Sequence, residues 1–226
     1  MKNTQNPPTP SDAKSLLIAT HNEGKFREFA AIFSEFAIDC LNPAQFGLGE
    51  PEETGTTFRA NAELKAKAAG LGSNRPALAD DSGLCVTALN GAPGIYSARW
   101  AVKNAAGKAD FAPAMAKIAA ELEGKPDRSA QFVCALSLAI PRASDHGLTV
   151  DFITVEGVLP GEICYPPRGE NGFGYDAIFM PIDPESGKGM GQSFAECAPD
   201  LKNRISHRAL AIRLLLAHPQ FQAWLR

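Results

Sequence analysis

Asp80 and Asp81 stand side by side after an apolar run, Pro76-Ala77-Leu78-Ala79, and Ser82-Gly83 follows them. Two carboxylates together at the end of a buried strand are costly unless a cation neutralises them. In α/β sheets such positions border ligand sites, which form beyond the carboxyl ends of strands. The pair therefore reads in one of two ways. Either it meets a ligand, or Asp80 caps a turn and Asp81 is solvated. The expected local structure is a short strand ending at the carboxylates and a turn at Ser82-Gly83. A second short strand or helical turn over residues 84–89 and another turn at Gly91-Ala92-Pro93-Gly94 come next.

Three other stretches carry residue types suited to a polyanionic ligand. Residues 15–20 form an apolar run that reads as a buried first strand and leads into His21-Asn22-Glu23-Gly24-Lys25. The spacing of Phe26, Phe29, Ala30 and Phe33 then predicts an amphipathic helix. A strand, a short polar loop and a helix point backbone N–H groups and a helix N-terminus at an anion. Lys25 adds a charge there and Asn22 an amide. The GxxxxGK[ST] spacing of a Walker loop is absent, with Phe26 where Ser or Thr would stand, and Asn and Gly also serve plain turns. Further on, Gly169, Gly172 and Gly174 permit close backbone approach, Phe173 and Tyr175 offer flat faces, and Asp176 offers a polar edge. These residues read as a base-binding pocket or as a turn packed on the core. Finally, Ser206 is a natural N-cap, which puts His207 and Arg208 in a first helical turn. There positive charge opposes the macrodipole, so a bound anion or carbonyl is one reading and a surface turn the other.

The elements that must position these groups alternate between strand and helix. Residues 38–41 are a candidate strand, and Glu50–Gly55 an acidic loop. Thr57 is an N-cap for a helix over residues 58–71, where the alanine content outweighs an apparent strand-like alternation. Lys65 and Lys67 on this helix are solvated unless the fold turns Lys65 toward the aspartate pair. A helix over residues 110–122 precedes two strands, 131–140 and 149–159, joined as a hairpin by a loop over 142–147. A short strand over 177–180, a glycine-rich excursion over 182–192 and one terminal helix containing Leu210, Leu214 and Leu215 complete the chain.

Composition bounds the function classes. The chain has 226 residues, enough for one sizeable α/β domain, with 45% hydrophobic and 21% charged residues. A net charge of −3 argues against nucleic-acid or membrane-surface binding by bulk charge, but allows a small anionic substrate. The five cysteines are scattered, form no CxxC pair and suit reduced thiols in a cytosolic protein. Residues 1–13 are polar and proline-rich, expected to be a disordered tail and not a signal peptide, with a single domain over 14–226. No run approaches the length of a membrane span.

Taken in order, the segments resemble the inosine/xanthosine triphosphate pyrophosphatases, house-cleaning enzymes that hydrolyse deaminated purine nucleoside triphosphates. The resemblance rests on Thr20-His21-Asn22-Glu23-Gly24-Lys25, on Glu53-Thr54-Gly55 with Phe58 and Asn61, and on Asp80-Asp81-Ser82-Gly83. Gly91–Arg99, Phe173-Gly174-Tyr175-Asp176 and Ile205-Ser206-His207-Arg208 extend it over nearly the whole chain. It implies an α/β fold with an elongated mixed central sheet flanked by helices, two lobes with a cleft between them, and a cytoplasmic homodimer. The implied reaction is Mg²⁺-dependent cleavage of a triphosphate to monophosphate and pyrophosphate. On this resemblance Thr20, His21, Asn22, Glu23, Gly24 and Lys25 hold the triphosphate, and Lys65 also reaches it. Asp81 is the general base and a magnesium ligand, Glu53 is the second metal ligand, and Ser82 contacts substrate. Phe173, Gly174, Tyr175, Asp176, Lys202, His207 and Arg208 clasp base and sugar. His21 departs from the glycine of many relatives, and the N-terminal tail has no counterpart. The alternative from another class is a non-catalytic purine nucleotide sensor on the same scaffold. An aspartyl-phosphate enzyme is disfavoured by the lack of a DxDx[TV] motif.

Overall fold

The computed structural model describes residues 14–20, 22–104, 107–145, 147–183 and 186–226. The expected tail and His21 fall outside these residues.

Strand β1 (Lys14–Ile18) buries Leu16, Leu17 and Ile18 on both faces, as an uninterrupted apolar run should. It leads into α1 (Glu23–Ser34), whose Phe29 and Phe33 enter the core with ring centroids 6.3 Å apart. Strand β2 (Ile38–Leu41) returns parallel to β1. Helix α2 (Phe58–Ser73) starts where Thr57 accepts a hydrogen bond from the Ala60 N–H at 3.1 Å. Beside Asn61 and Lys65, its buried side carries the small residues Ala62, Ala66, Ala69 and Gly70, so the helix lies close on the sheet.

The central sheet is mixed, with β3 (Ala77–Val86), β6 (Ser129–Ser144), β7 (Gly147–Ile163) and β8 (Phe179–Pro181) completing the order β2-β1-β3-β6-β7-β8, and helices flank it. Strand β3 (Ala77–Val86) is ten residues long and runs straight through Asp80-Asp81-Ser82-Gly83, paired antiparallel with β6 (Ser129–Ser144) in unbroken register from Ala77↔Ala139 to Val86↔Ala130. This corrects two expectations. The carboxylates do not end a strand, and Ser82-Gly83 is not a turn. Polar residues mid-strand imitate a strand end in sequence, but the ladder tolerates them because their backbone groups still pair with β6. Strand β7 (Gly147–Ile163) continues the hairpin to Ser144↔Gly147, a tighter connection than the expected loop. The extra pairs run through Pro141, Ala143, Gly147 and Leu148, where proline, glycine and exposure to solvent leave no strand-like alternation in the sequence.

A small two-stranded sheet, β4 (Val102–Lys103) with β5 (Ala109–Asp110), precedes α3 (Ala112–Glu121). Strand β8 (Phe179–Pro181) pairs with β7. The single terminal helix of the sequence reading is three: α4 (Pro199–Ile205), α5 (His207–Ala217) and α6 (Pro219–Leu225). Ser206 caps α5, and Pro219, which lacks an N–H, must begin a new helix instead of continuing one.

Two large apolar clusters dominate the interior of the described residues, with two smaller ones where α2 meets the sheet. Of the large pair, one gathers Leu16, Ile18, Phe29, Leu78, Leu136, Leu138 and α5 residues, and the other Leu84, Val86, Phe132, Leu159, Phe179 and Phe194. Strands β3, β6 and β7 pass through both, so Asp80–Gly83 lies where one cluster gives way to the other. Helix α5 reaches the sheet at Gly157 of β7, where an added Cβ would meet the His207 carbonyl oxygen at 2.1 Å and the Ala211 nitrogen at 2.4 Å. Among the described residues no helix is long and apolar enough to cross a membrane. All five cysteines are free thiols.

The Gly157 contact yields a prediction. Gly157→Ala is expected to lower unfolding stability by about 2 kcal/mol through overpacking against backbone that cannot rotate away. Urea denaturation measures it, and an unchanged midpoint would contradict the close approach.

Candidate functional site

Successive residues of a strand point to opposite faces of the sheet. Asp80 and Asp81, adjacent in β3, are therefore separated onto two faces and meet two different sets of partners. The strand is also open beside them. Strand β1 pairs with β3 only at Leu17↔Ala77 and Ile18↔Leu78 and then leaves the sheet. The edge of β3 that β1 abandons carries both carboxylates, so the site lies past the carboxyl end of β1, not of β3 as expected.

On the α2 face, Asp81 Oδ2 accepts a hydrogen bond from Asn61 Nδ2 at 3.0 Å, and Oδ1 accepts from the Ser82 N–H at 3.1 Å. Lys65 Nζ stands 3.8 Å from Asp81 Oδ1 and donates to Glu53 Oε1 at 2.5 Å. Asn61 and Lys65 are four apart on α2, which puts both on one face. The amide oxygen of Asn61 accepts from the Gly55 N–H at 2.8 Å, tying the Glu53 loop to the helix. Arg99 holds the same loop from outside, donating to the Glu53 carbonyl oxygen at 3.0 Å. Lys65 is thus turned inward and only 6% exposed. Burial works against its charge, but Asp80, Asp81 and Glu53 outweigh burial and raise its pKa, so it stays protonated. Burial pushes the Asp81 carboxyl above its ordinary value of 3.8, against the pull of Lys65 and Asn61.

The other face holds Asp80, which is 3% exposed. Its Oδ2 accepts from Lys25 Nζ at 2.7 Å and Ser82 Oγ at 2.7 Å, with Arg208 NH2 at 3.8 Å. Burial alone would raise this carboxyl. Lys25, Arg208 and Lys65 overcome burial and hold it well below the usual carboxylate range. Arg208 also donates to Glu28 Oε2 of α1 at 2.8 Å. The cation in the first turn of α5 is thereby answered by the chain's own carboxylates, Asp80 and Glu28. Neither sequence reading of that turn foresaw this.

Asn22 caps α1, its side-chain oxygen accepting from Gly24 N–H at 2.9 Å and Lys25 N–H at 3.1 Å, while Thr20 Oγ1 accepts from Asn22 N–H at 3.2 Å. Two of the N–H groups expected to face an anion are consequently engaged by the cap. Glu23 and Gly24 are exposed beside them.

Beyond Arg208 lies an aromatic wall. The His207 ring stacks on Phe132 at 4.8 Å and 20°, and Phe132 stacks on Phe194 at 6.1 Å. Lys202 of α4 sits 5.1 Å from the Phe173 ring centroid and 5.5 Å from that of Phe194, and pairs with Asp176 Oδ2. The same oxygen accepts from the Phe173 N–H at 2.8 Å. Phe173 is 59% exposed, and Gly174 turns the loop with φ +67°. Tyr175 does not offer the flat face the sequence suggested. It is buried edge-on against Phe111, with its hydroxyl donating to the Ser97 carbonyl at 2.9 Å, so it holds the loop down. Burial, with Arg208 adjacent, keeps the His207 pKa well below 6.5, so the imidazole is neutral. His207 Nδ1 and Arg208 Nε are buried without a hydrogen-bond partner among the described residues.

The structure thus brings Asp81, Glu53 and Lys65 together on one face, Asp80, Lys25, Ser82 and Arg208 on the other, and Phe173, Asp176, Lys202 and His207 at the aromatic end, whereas Thr20, Asn22 and Gly24 contact one another around the start of α1. Asn61, Arg99 and Glu28 carry no role in the sequence reading. Asn61 and Arg99 stand in motifs that carry the resemblance, which was the signal available for them, whereas Glu28 stands in none. Among the described residues no group of three or more His, Cys, Asp or Glu gathers as a metal cage. The Glu53–Asp81 pair instead supplies two carboxylates at an open edge, the donor set Mg²⁺ commonly takes while keeping water and phosphate as other ligands.

The Ham1 family model matches residues 16–218. The chain is 48% identical to the dITP/XTP pyrophosphatase of Rhodospirillum centenum over 206 residues, covering 90% of this chain and 93% of that one. It is 45% identical to the dITP/XTP pyrophosphatase of Zymomonas mobilis over 205 residues, covering 89% and 90%. Among solved structures, a HAM1 protein from Coxiella burnetii superposes with a TM-score of 0.75 at 38% identity, covering 89% of this chain and 96% of that one. The Staphylococcus aureus Ham1 protein gives 0.74 at 39%, covering 90% and 97%.

The two carboxylates predict opposite stability effects. Asp80, with its pKa depressed, contributes stability above its unfolded pKa and loses it as pH falls through the folded value. Asp81, with its pKa raised, costs stability as pH rises from its unfolded value through the folded one. At pH 7, Asp80→Asn is expected to destabilise by about 3 kcal/mol, because half-buried Lys25 loses its counter-charge and buried Arg208 is left with Glu28 alone. Asp81→Asn is expected to raise the melting temperature. Calorimetric scans of both variants decide, and a lower melting temperature for Asp81→Asn would contradict the assignment.

Proposed function

Because the chain belongs to the Ham1 family, we propose that it hydrolyses the deaminated purine nucleoside triphosphates ITP, dITP and XTP, with Mg²⁺, to the monophosphate and pyrophosphate. The observation that carries this reading is Asp81, buried with a raised pKa at an open strand edge, with Lys65, Asn61 and Glu53 converging on it. A carboxylate whose pKa is raised is a better proton acceptor than an ordinary one. The names of the relatives support the substrate class.

Glu53 and Asp81 would hold the Mg²⁺, which when bound neutralises charge on the phosphates. Lys65, protonated between these two carboxylates, would lean toward the phosphates as the carboxylates turn to the metal. Asp81 accepts the proton of the water that attacks the α-phosphorus. Lys25 and Lys65 meet the negative charge that gathers on the departing pyrophosphate, and Thr20, Asn22, Glu23 and Gly24, with His21, form the loop around it. Arg99 and Asn61 keep Glu53 in reach of that chemistry. At the other end Phe173 offers its exposed face to the base and Ser82 meets the substrate. Lys202, Asp176, Arg208 and the neutral His207 line the base and sugar position. A 6-oxo purine supplies an acceptor to buried donors there, such as Arg208 Nε, and adenine's amino group would leave them unpaired. Residues 14–226 act as one domain on this reading. The five free thiols support a cytoplasmic setting, and a homodimer rests on the family resemblance.

Asp81→Asn is expected to lower kcat for ITP by roughly 10³-fold while nucleotide still binds. Pyrophosphate and orthophosphate are assayed together, with and without a chelator. Orthophosphate as the first product would overturn the reaction. Nucleotide binding by the unmutated chain without any turnover would favour a sensor instead.

A further inference from the structure

We propose that Asp80 is a positioning residue that couples the phosphate end of the site to its base end. The inference rests on the reading of the site given above, and it assigns work to a carboxylate that the chemistry at Asp81 does not use.

Asp80 points away from the Glu53–Asp81 face and has no part in holding a metal there. Its oxygen Oδ2 is shared between Lys25, at 2.7 Å, and Arg208, at 3.8 Å. Lys25 belongs to the phosphate loop at the start of α1. Arg208 belongs to α5, next to His207 and the aromatic wall. Glu28, three residues after Lys25 on the same helix, braces Arg208 from its other side at 2.8 Å. One buried anion therefore serves two cations at opposite ends of the substrate, and it holds the phosphate-side cation more closely.

A polyphosphate competes with Asp80 for Lys25. As the ammonium turns to the phosphates, the Asp80 charge falls to Arg208, and the guanidinium closes from 3.8 Å into a direct hydrogen bond. With Arg208 ordered beforehand, the base loses less freedom on binding. The two ends therefore bind with positive coupling, and linkage requires that the effect be reciprocal.

The test separates the two ends by using half-substrates. Inosine and inorganic tripolyphosphate are titrated by calorimetry into the full chain with Mg²⁺, each alone and each with the other saturating. The unmutated chain is expected to bind inosine on the order of 5- to 20-fold more tightly when tripolyphosphate is present, with the same factor in reverse. In Asp80→Asn each ligand is expected to bind alone while the coupling factor falls to about one, a loss that general destabilisation would not produce. Glu28→Gln, at a partly exposed position, keeps the proposal testable if Asp80→Asn fails to fold, and is expected to reduce the factor by at least about half. Retained coupling in either variant, or independent binding in the unmutated chain, overturns the proposal and leaves the proposed reaction standing. If neither half-substrate binds the unmutated chain, the reading of the site falls with it.

Discussion

Two carboxylates joined by one peptide bond cannot share a counter-ion when the strand is extended, because the pleat sends them to opposite faces. That constraint organises the site. Asp80 draws its cations from α1 and α5, and Asp81 draws its own from α2. Each helix must therefore lie close enough to β3 to deliver a side chain. The small residues of α2 and the bare backbone at Gly157 beneath α5 make those approaches possible. The departure of β1 after Ile18 then leaves one edge of β3 open, so a ligand at that edge can reach both sides of the sheet.

The two environments differ in kind. Asp80 is deeper and carries more positive charge, which fixes it as an anion and makes it structural in the free chain. Asp81 has fewer compensating contacts for its burial and is left with a raised pKa, a poor ion but a ready proton acceptor. On the proposed reaction, this divergence of pKa would divide the labour of the two carboxyls between positioning and proton transfer. Lys65, held by Glu53 and facing Asp81, supplies the positive charge that the pair requires in the absence of ligand. Arg99 and Asn61 keep the Glu53 loop near enough for that arrangement, although the loop has no regular structure of its own.

Much of the fold was legible because its signals are local. The buried run of β1, the phenylalanine face of α1, the caps at Thr57 and Ser206 and the alanine content of α2 each follow from a few residues. The family was legible from motifs spread along the chain, and it agrees with the Ham1 match. The continuity of β3 was not, because mid-strand polar residues look like a strand end unless the partner strand is known. The ends of the β6–β7 hairpin were missed for a related reason: Pro141 and Gly147 at one end, and Pro160 and Gly161 at the other, look like strand breakers unless the partner strand is known. At the site, sequence could name Lys65 but not its direction, which depends on helix–sheet packing. Tyr175 looked like an open aromatic face, and only the distant Ser97 carbonyl reveals that it is an anchor. The answering charges for Arg208 come from Glu28, 180 residues away in sequence, and from Asp80, distances no local pattern encodes.

The central claim is that water, deprotonated at Asp81, attacks the α-phosphorus. Hydrolysis of ITP in ¹⁸O-enriched water, followed by mass spectrometry of both products, tests it directly. The account requires the heavy oxygen in the nucleoside monophosphate and none in the pyrophosphate. Label in the pyrophosphate would mean attack at the β-phosphorus and would contradict it.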